Sequence, residues 1–312
     1  MALTDRAAVE SCTHRLPCST DHNFTSMWMW NTDDRTRLAR IGANLVVEYT
    51  DFDTKNTVVS FLGDDDIVGA ANELLSHTGE LHAIPDFVAD CLPPDRFTIA
   101  HDRDQDEYVL DVRRLSALSG RSLRYRRKAA NQCARAVGKQ LRVEHDLERL
   151  HRGLMNLFDR WTATRAKNHN SGLLDERRAA ERLIAAWPTL DLIGTGVYDG
   201  DILFAADVQE LAAGCAIGHL SKADVSYRGS FSLLMRSSAE YLSSLGYFEL
   251  NVEQDLGIQG LRMSKLRWRP VRMVRKYRVR ARTVLRNGDT SLASSVHAAG
   301  TPKVACTGTG HP

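Results

Sequence analysis

The stretch that decides the fold is Leu192-Ile-Gly-Thr-Gly-Val-Tyr198, Asp199-Gly200-Asp201, Ile202-Leu-Phe-Ala-Ala-Asp-Val-Gln-Glu210. Two apolar runs flank a glycine-containing turn, the pattern of a β-hairpin. Ala213–Ser221 continues as a third strand. Phe231, Leu234, Met235, Leu242 and Leu245 then keep a helical spacing up to a stop at Gly246. Tyr247–Glu253 alternates, with Phe248, Leu250 and Val252 on one face and Glu249, Asn251 and Glu253 on the other. After a helix starting near Leu256, Val271–Val279 reads as a last strand flanked by arginines. Three strands, a long helix, a strand, a helix and a strand describe an open mixed sheet with helices on its faces. The fold class is α/β with mixed α+β character.

Working upstream, Leu147, Leu150, Leu154, Leu157, Phe158 and Trp161 form one apolar helix stripe. A second helix covers about 175–187 and stops before Pro188. Tyr108–Asp111 reads as a short strand behind the charged turn 102–107. Before that turn, Leu45–Tyr49, Val58–Leu62 and Phe97–Ala100 read as strands, and Ile67, Ala70, Ala71, Leu74 and Leu75 as a helix ending at Gly79. These signals divide the chain into an irregular lead-in over 1–20, an N-terminal unit over about 21–105, a C-terminal unit over 106–286 and a disordered tail over 287–312.

The 312 residues are 43% hydrophobic and 26% charged, which excludes disordered, collagenous and disulfide-scaffold classes. No apolar run reaches the roughly 18–20 residues that cross a bilayer, and the N-terminus lacks the apolar core of a secretory signal. A soluble cytoplasmic protein with reduced thiols at its six cysteines is expected. The net charge of +2 hides a segregation: residues 113–142 hold ten Lys/Arg and residues 262–286 eleven, with no acid in either run. An electropositive surface for a polyanion follows, and nucleic acid, a CoA-type phosphate or an anionic lipid surface would each satisfy it.

The segment Asn251-Val-Glu253-Gln-Asp255-Leu-Gly257-Ile-Gln-Gly260-Leu-Arg262-Met-Ser-Lys265, continuing through Trp268 and Pro270 to Tyr277, resembles the hallmark of the phosphatidylglycerol lysyltransferase C-terminal domain family. Tyr108–Asp111, Leu115, Leu118-Ser-Gly120-Arg121 and the basic helix Tyr125-Arg-Arg-Lys128 add a second match, and Asn23-Phe24, Trp28 and Trp30 a third. The resemblance implies two tandem GNAT-like acyltransferase domains, each an open mixed sheet flanked by helices. It also implies transfer of an aminoacyl group from an aminoacyl-tRNA, with no resident cofactor. Well-known members carry an integral-membrane region and modify a lipid. With no such region in this sequence, the expected acceptor is a non-lipid small molecule or a peptide amine, with no integral membrane association. Lys128 is followed by Ala129 and Ala130, where members commonly carry Arg and Asn.

Aminoacyl transfer requires a deprotonated nucleophile, a stabilised oxyanion and a grip on the donor. Asn251, Glu253, Asp255 and Arg262 are the candidate catalytic residues. Asp255 is equally placed to cap the following helix. Arg262 and Lys265 would share a helix face, and Lys265, Lys128, Arg124 and Arg127 are candidate donor-phosphate contacts. Tyr227, Arg228 and Gly229 stand before the long helix, whose N-terminal amides suit an anion. At that turn CoA-dependent enzymes usually carry Arg/Gln-x-x-Gly-x-Gly/Ala. Only Gly229 fits among Ser226, Gly229 and Phe231, which disfavours acyl-CoA as the donor. An acyl-CoA-dependent N-acyltransferase and a non-catalytic tRNA- or partner-binding module stand as the alternatives. His14, His22, His101, His145, His151, His169 and His219 show no ligand spacing, so no metal is expected.

Overall fold

In the computed structural model, residues 1–13, 18–51, 54–163 and 171–282 are described. The expected tail, Arg286, His14 and His169 lie outside them. The N-terminal half contains α1 (Arg6–Thr13), α2 (Phe24–Trp30), β1 (Arg37–Ile41), β2 (Asn44–Thr50), β3 (Thr57–Leu62), α3 (Ile67–Thr78), β4 (Leu81–Pro85), α4 (Asp86–Ala89) and β5 (Phe97–His101). There follow β6 (Glu107–Asp111), α5 (Val112–Ala117), α6 (Arg124–Val137), β7 (Leu141–Glu144), α7 (Leu147–Ala163) and α8 (Ser171–Ala186). The remaining elements are β8 (Leu192–Asp199), β9 (Ile202–Ala212), β10 (Cys215–Ala223), α9 (Ser230–Ser244), β11 (Glu249–Gln254), α10 (Gln259–Leu266), β12 (Arg272–Val274) and β13 (Lys276–Ala281).

Local signals account for many of these boundaries. The Asn23 side chain accepts from the Ser26 amide at 2.9 Å and starts α2, and Asp111 does the same for α5 through Arg114 at 2.8 Å. Gly79 ends α3 at a φ of +74°, which a side chain would strain. The hairpin β8–β9 turns at Asp199-Gly200-Asp201 as expected, pairing Asp199 with Ile202. The lead-in, expected to be irregular, holds the helix α1, whose Val9 is fully buried against the core.

Seven strands form the main sheet in the order β12-β6-β11-β10-β9-β8-β7. Leu150, Leu154, Leu157 and Phe158 of α7 pack with α8 and α2 in one core. Residues of α5, α6 and α9 build a second. Each buried Leu or Phe contributes about 1.5–3 kcal/mol by leaving water. A smaller sheet runs β1-β2-β3, and another runs β4-β13-β5. The expected single strand Val271–Val279 is therefore divided: β12 joins β6 in the main sheet, while β13 inserts between β4 and β5. Reciprocally, β6 follows the N-terminal strands in sequence but lies between β11 and β12. The two halves interlock through these strands, and residues 1–282 form one compact unit.

Cys18 and Cys215 are joined by a disulfide across 197 residues, tying the segment before α2 to β10. That corrects the expectation of reduced thiols for this pair alone among the described residues, since Cys12, Cys91 and Cys133 are free; the approach of two cysteines so distant in sequence is invisible before the fold is known.

Candidate active site

The parallel strands β10 and β11 pair only at Ala216–Leu250 and Ile217–Asn251. Beyond those pairs the strands part, and a cleft of about 930 Å³ opens between them, extending to α2, α8, α9 and α10. The local structure at the end of β11 determines what faces it. Asn251 is fully buried, with its amide donating to Glu107 at 2.5 Å and to the Cys18 carbonyl at 3.2 Å. Its side-chain oxygen accepts from the Glu253 amide at 2.9 Å. That bond supports a φ of +62° at Glu253, and the strand register shifts between Asn251 and Gln254. The strict alternation expected for Tyr247–Glu253 thus breaks where a buried side chain replaces a ladder bond.

Glu107 belongs to a dense ionic cluster that the sequence reading missed. Lys276 is fully buried and donates to Glu107 at 2.6 Å, to Ser19 at 2.5 Å and to Asp21. Glu107 also accepts from the Thr20 amide and hydroxyl, both at 3.0 Å. Burial opposes the charge on Lys276, yet Asp21 and Glu107 hold its pKa above the ordinary lysine value. The cluster joins β6, β13 and the segment before α2 behind Asn251, so it positions Asn251 from three distant parts of the chain. Its signal in the sequence was a lysine inside a strand otherwise able to bury Val279.

Asp255 and Arg262 come together, with Asp255 in the protein interior and Arg262 partly exposed. Asp255 is fully buried and accepts from Arg262 at 2.8 and 2.9 Å, from the Gly257 amide at 2.9 Å and from the Tyr108 hydroxyl. Arg262 also reaches Asp104 at 2.6 Å. Burial by itself raises the Asp255 pKa, but the bonds from Arg262 and Tyr108 outweigh it and hold the carboxyl below its ordinary value. Bonding to Asp255 and Asp104 raises Arg262 in turn. The helix α10 starts at Gln259, and its N-cap position is Ile258. Asp255 therefore caps no helix; it closes the tight turn at Gly257, whose φ is +72°.

Glu253 and Lys265 line the cleft. Burial pushes the Glu253 carboxyl up to about 7, against the pull of Lys265. Burial likewise lowers the Lys265 ammonium to about 8, against the pull of Glu253. The Lys265 Nζ donates to the carbonyls of Val252 at 2.5 Å and Gln254 at 2.6 Å. An ammonium has three protons, so one remains for a group in the cleft. Arg262 and Lys265, expected on one helix face with a common duty, thus have different ones.

The basic helix α6 meets the cleft at its rim. Arg126 stacks 4.4 Å above the ring of Trp268, which itself lines the cleft. Arg124 and Lys128 are exposed on α6, and Arg127 turns back to the Leu118 carbonyl. Burial and then the nearby Arg267 lower the Arg126 pKa, so the two acid-free runs converge here. The turn before α9 is built differently from a phosphate cradle. Tyr227 stacks on Phe204 at 4.2 Å and donates to Asp199 at 3.2 Å. A Cβ on Gly229 would lie 2.3 Å from the Ala129 carbonyl, so glycine is required there for close packing on α6. Arg228 is exposed. The Asp224 carboxylate accepts from the Ser226 amide at 2.9 Å within this turn.

The far half of the cleft carries Asp21, Asp33, Asp51, Asp175 and Glu176. Lys222 lies within it, bonded to Glu176 at 2.5 Å and 4.4 Å above the Trp161 ring. A lysine inside the buried strand β10 was the available signal for this residue. Among the described residues, no group of three or more His, Cys, Asp or Glu side chains is arranged to hold a metal ion. No helix among them is long and apolar enough to cross a membrane.

Comparison with known proteins places this geometry in a family. The profile described as phosphatidylglycerol lysyltransferase, C-terminal, matches residues 14–280. No curated protein matches the chain. Among solved structures, a conserved protein of unknown function from Bacteroides thetaiotaomicron VPI-5482 is 21% identical, with a TM-score of 0.80, over 90% of this chain and 98% of that one. The C-terminal domain (DUF2156) of a candidate lysylphosphatidylglycerol synthetase from Agrobacterium fabrum is 13% identical, with a TM-score of 0.61, over 89% and 92%. L-PGS from Bacillus licheniformis is 14% identical, with a TM-score of 0.54, over 83% and 87%. The fold is mixed α/β, with mixed sheets flanked by helices, as expected from the sequence. With the hallmark segment, the sheet order and the matched span in agreement, the chain belongs to the phosphatidylglycerol lysyltransferase C-terminal family and is a transferase of the acyltransferase type.

Proposed function

We propose that the protein moves an aminoacyl group from an aminoacyl-tRNA to a non-lipid acceptor, a small molecule or a peptide amine. The observation that carries the reading is the pair Glu253 and Lys265 on the wall of one cleft, each shifted toward neutrality. The acceptor amine attacks the ester carbonyl, and Glu253 takes the proton that the nitrogen loses. The free proton of Lys265 hydrogen-bonds the oxyanion as it forms. Collapse breaks the bond to the tRNA 3′ oxygen, which leaves with a proton returned from protonated Glu253. Asp255 and Arg262 are positioning residues that hold the turn between Glu253 and α10. Asn251 orients the Glu253 backbone. Arg126, Arg124 and Lys128 at the rim suit the polyanionic donor.

Asp21, Asp175 and Glu176 are paired with Lys276, Lys55 and Lys222, and it is Asp33 and Asp51, with no ion pair among the described residues, that favour an ammonium-bearing acceptor over a phosphate headgroup. The test supplies total tRNA charged with labelled amino acids together with a cell extract, and separately with phosphatidylglycerol vesicles. Label is expected in a water-soluble extract component. Label in the lipid would overturn the acceptor class. Turnover of labelled acetyl-CoA without use of charged tRNA would overturn the donor.

A further inference from the structure

A second cavity, of about 530 Å³, lies between α7 and the β8–β9 hairpin, outside the cleft. Arg149, Arg152, Asn156 and Arg160 line it from one stripe of α7. At 1.5 Å per residue the stripe is about 16 Å long. Arg149 is held by Glu144 at 3.0 Å and Asp201 at 3.1 Å, and stacks 4.8 Å above Tyr198. Arg160 is held by Asp224 at 3.2 Å and the Leu203 carbonyl. Arg152 is exposed and has no carboxylate partner among the described residues. Tyr198, which also lines the cavity, is 2% exposed and its hydroxyl has no partner among the described residues. Arg142, at the end of the first basic run, shares Asp201 with Arg149.

The cavity adjoins the cleft through one turn. Asp224, the partner of Arg160, begins the segment whose Val225 and Ser230 line the cleft. Along α7 the row runs from Arg160, which bonds Asp224 beside Val225, to Arg152 and then Arg149. We propose that this arginine row binds consecutive phosphodiesters of the donor nucleic acid, just upstream of its aminoacylated 3′ end. The inference rests on the reading of the donor as aminoacyl-tRNA. The row is long enough for more than one phosphate of an extended single strand.

Binding of a single-stranded RNA ending in CCA to the full chain tests the site without transfer. R152E is expected to weaken binding about tenfold and to reduce the salt slope by about 1. In transfer assays R152E should raise KM for aminoacyl-tRNA and leave both kcat and turnover of 3′-aminoacyl-adenosine unchanged. RNA affinity and KM unchanged in R152E would overturn the site while leaving the transfer reading intact. RNA bound by the wild type and weakened in R152E, with no aminoacyl transfer to anything, would sink the transfer reading and keep the site. Loss of binding to anionic vesicles in R152E, with RNA affinity unchanged, would also overturn it.

Discussion

Two carboxylate–cation pairs lie within fifteen residues of each other, and they do opposite things. Asp255 and Arg262 are joined by two hydrogen bonds, with Asp255 fully shielded and held ionised. Glu253 and Lys265 border the cleft, and burial brings each closer to neutrality. A carboxylate saturated with donors is a poor base, because a proton must displace them. One poised near neutrality can both take and return a proton. The difference teaches that charge complementarity in a motif does not identify the reacting pair; the partners of each oxygen do.

The sharpest way to break this comparison is to neutralise one member of each pair. E253Q and K265M are each expected to lower transfer about 10²–10³-fold with little change in Tm. Full activity in either variant, measured by label transfer at saturating donor, would remove the cleft pair from the mechanism. D255N should instead cost about 1–3 kcal/mol, because it removes the charge that the Arg262 and Tyr108 hydrogen bonds stabilise in a fully buried side chain. Thermal unfolding reads that loss, and unchanged Tm with lost activity would reverse the roles drawn here.

A pH profile sharpens the same contrast. Below about 7 Glu253 keeps its proton and cannot accept another, so activity falls as pH drops. Above about 8 Lys265 loses the proton it offers the oxyanion, so activity falls as pH rises. The two groups interact, and the limbs belong to the pair. A narrow optimum between them is expected, with E253Q abolishing the acid limb of any residual rate. A flat profile from 6 to 9 would exclude both roles. The smallest effects are expected at the rim: R124A and K128A should each weaken donor binding a few-fold and lower the salt slope by about 1, with kcat unchanged.

The helices and strands of the C-terminal half were legible because their signals are local. The hairpin at Gly200 and the stripe of α7 follow from periods of two and 3.6. The hallmark segment likewise contained the reacting pair, since Glu253 and Lys265 are both in it. Which of its four charged residues face the cleft was not legible, because Asp255 is held by Tyr108 of the neighbouring strand β6, 147 residues away in sequence, as well as by Arg262. Strands β1 and β4 were missed because they are short and one of them, β1, is largely exposed and polar.

The sequence alone determined the α/β class, the order of elements in residues 190–266, the family and the concentration of positive charge in two runs. Those properties depend on neighbours a few positions apart, where periodicity and composition carry the information. The tertiary structure alone decided that β13 crosses to the N-terminal sheet, that Cys18 meets Cys215, and that Glu107 and Lys276 pair behind Asn251. Each joins residues more than a hundred positions apart. Buried charges and thiols take their partners from wherever packing brings them, and no local period records that choice.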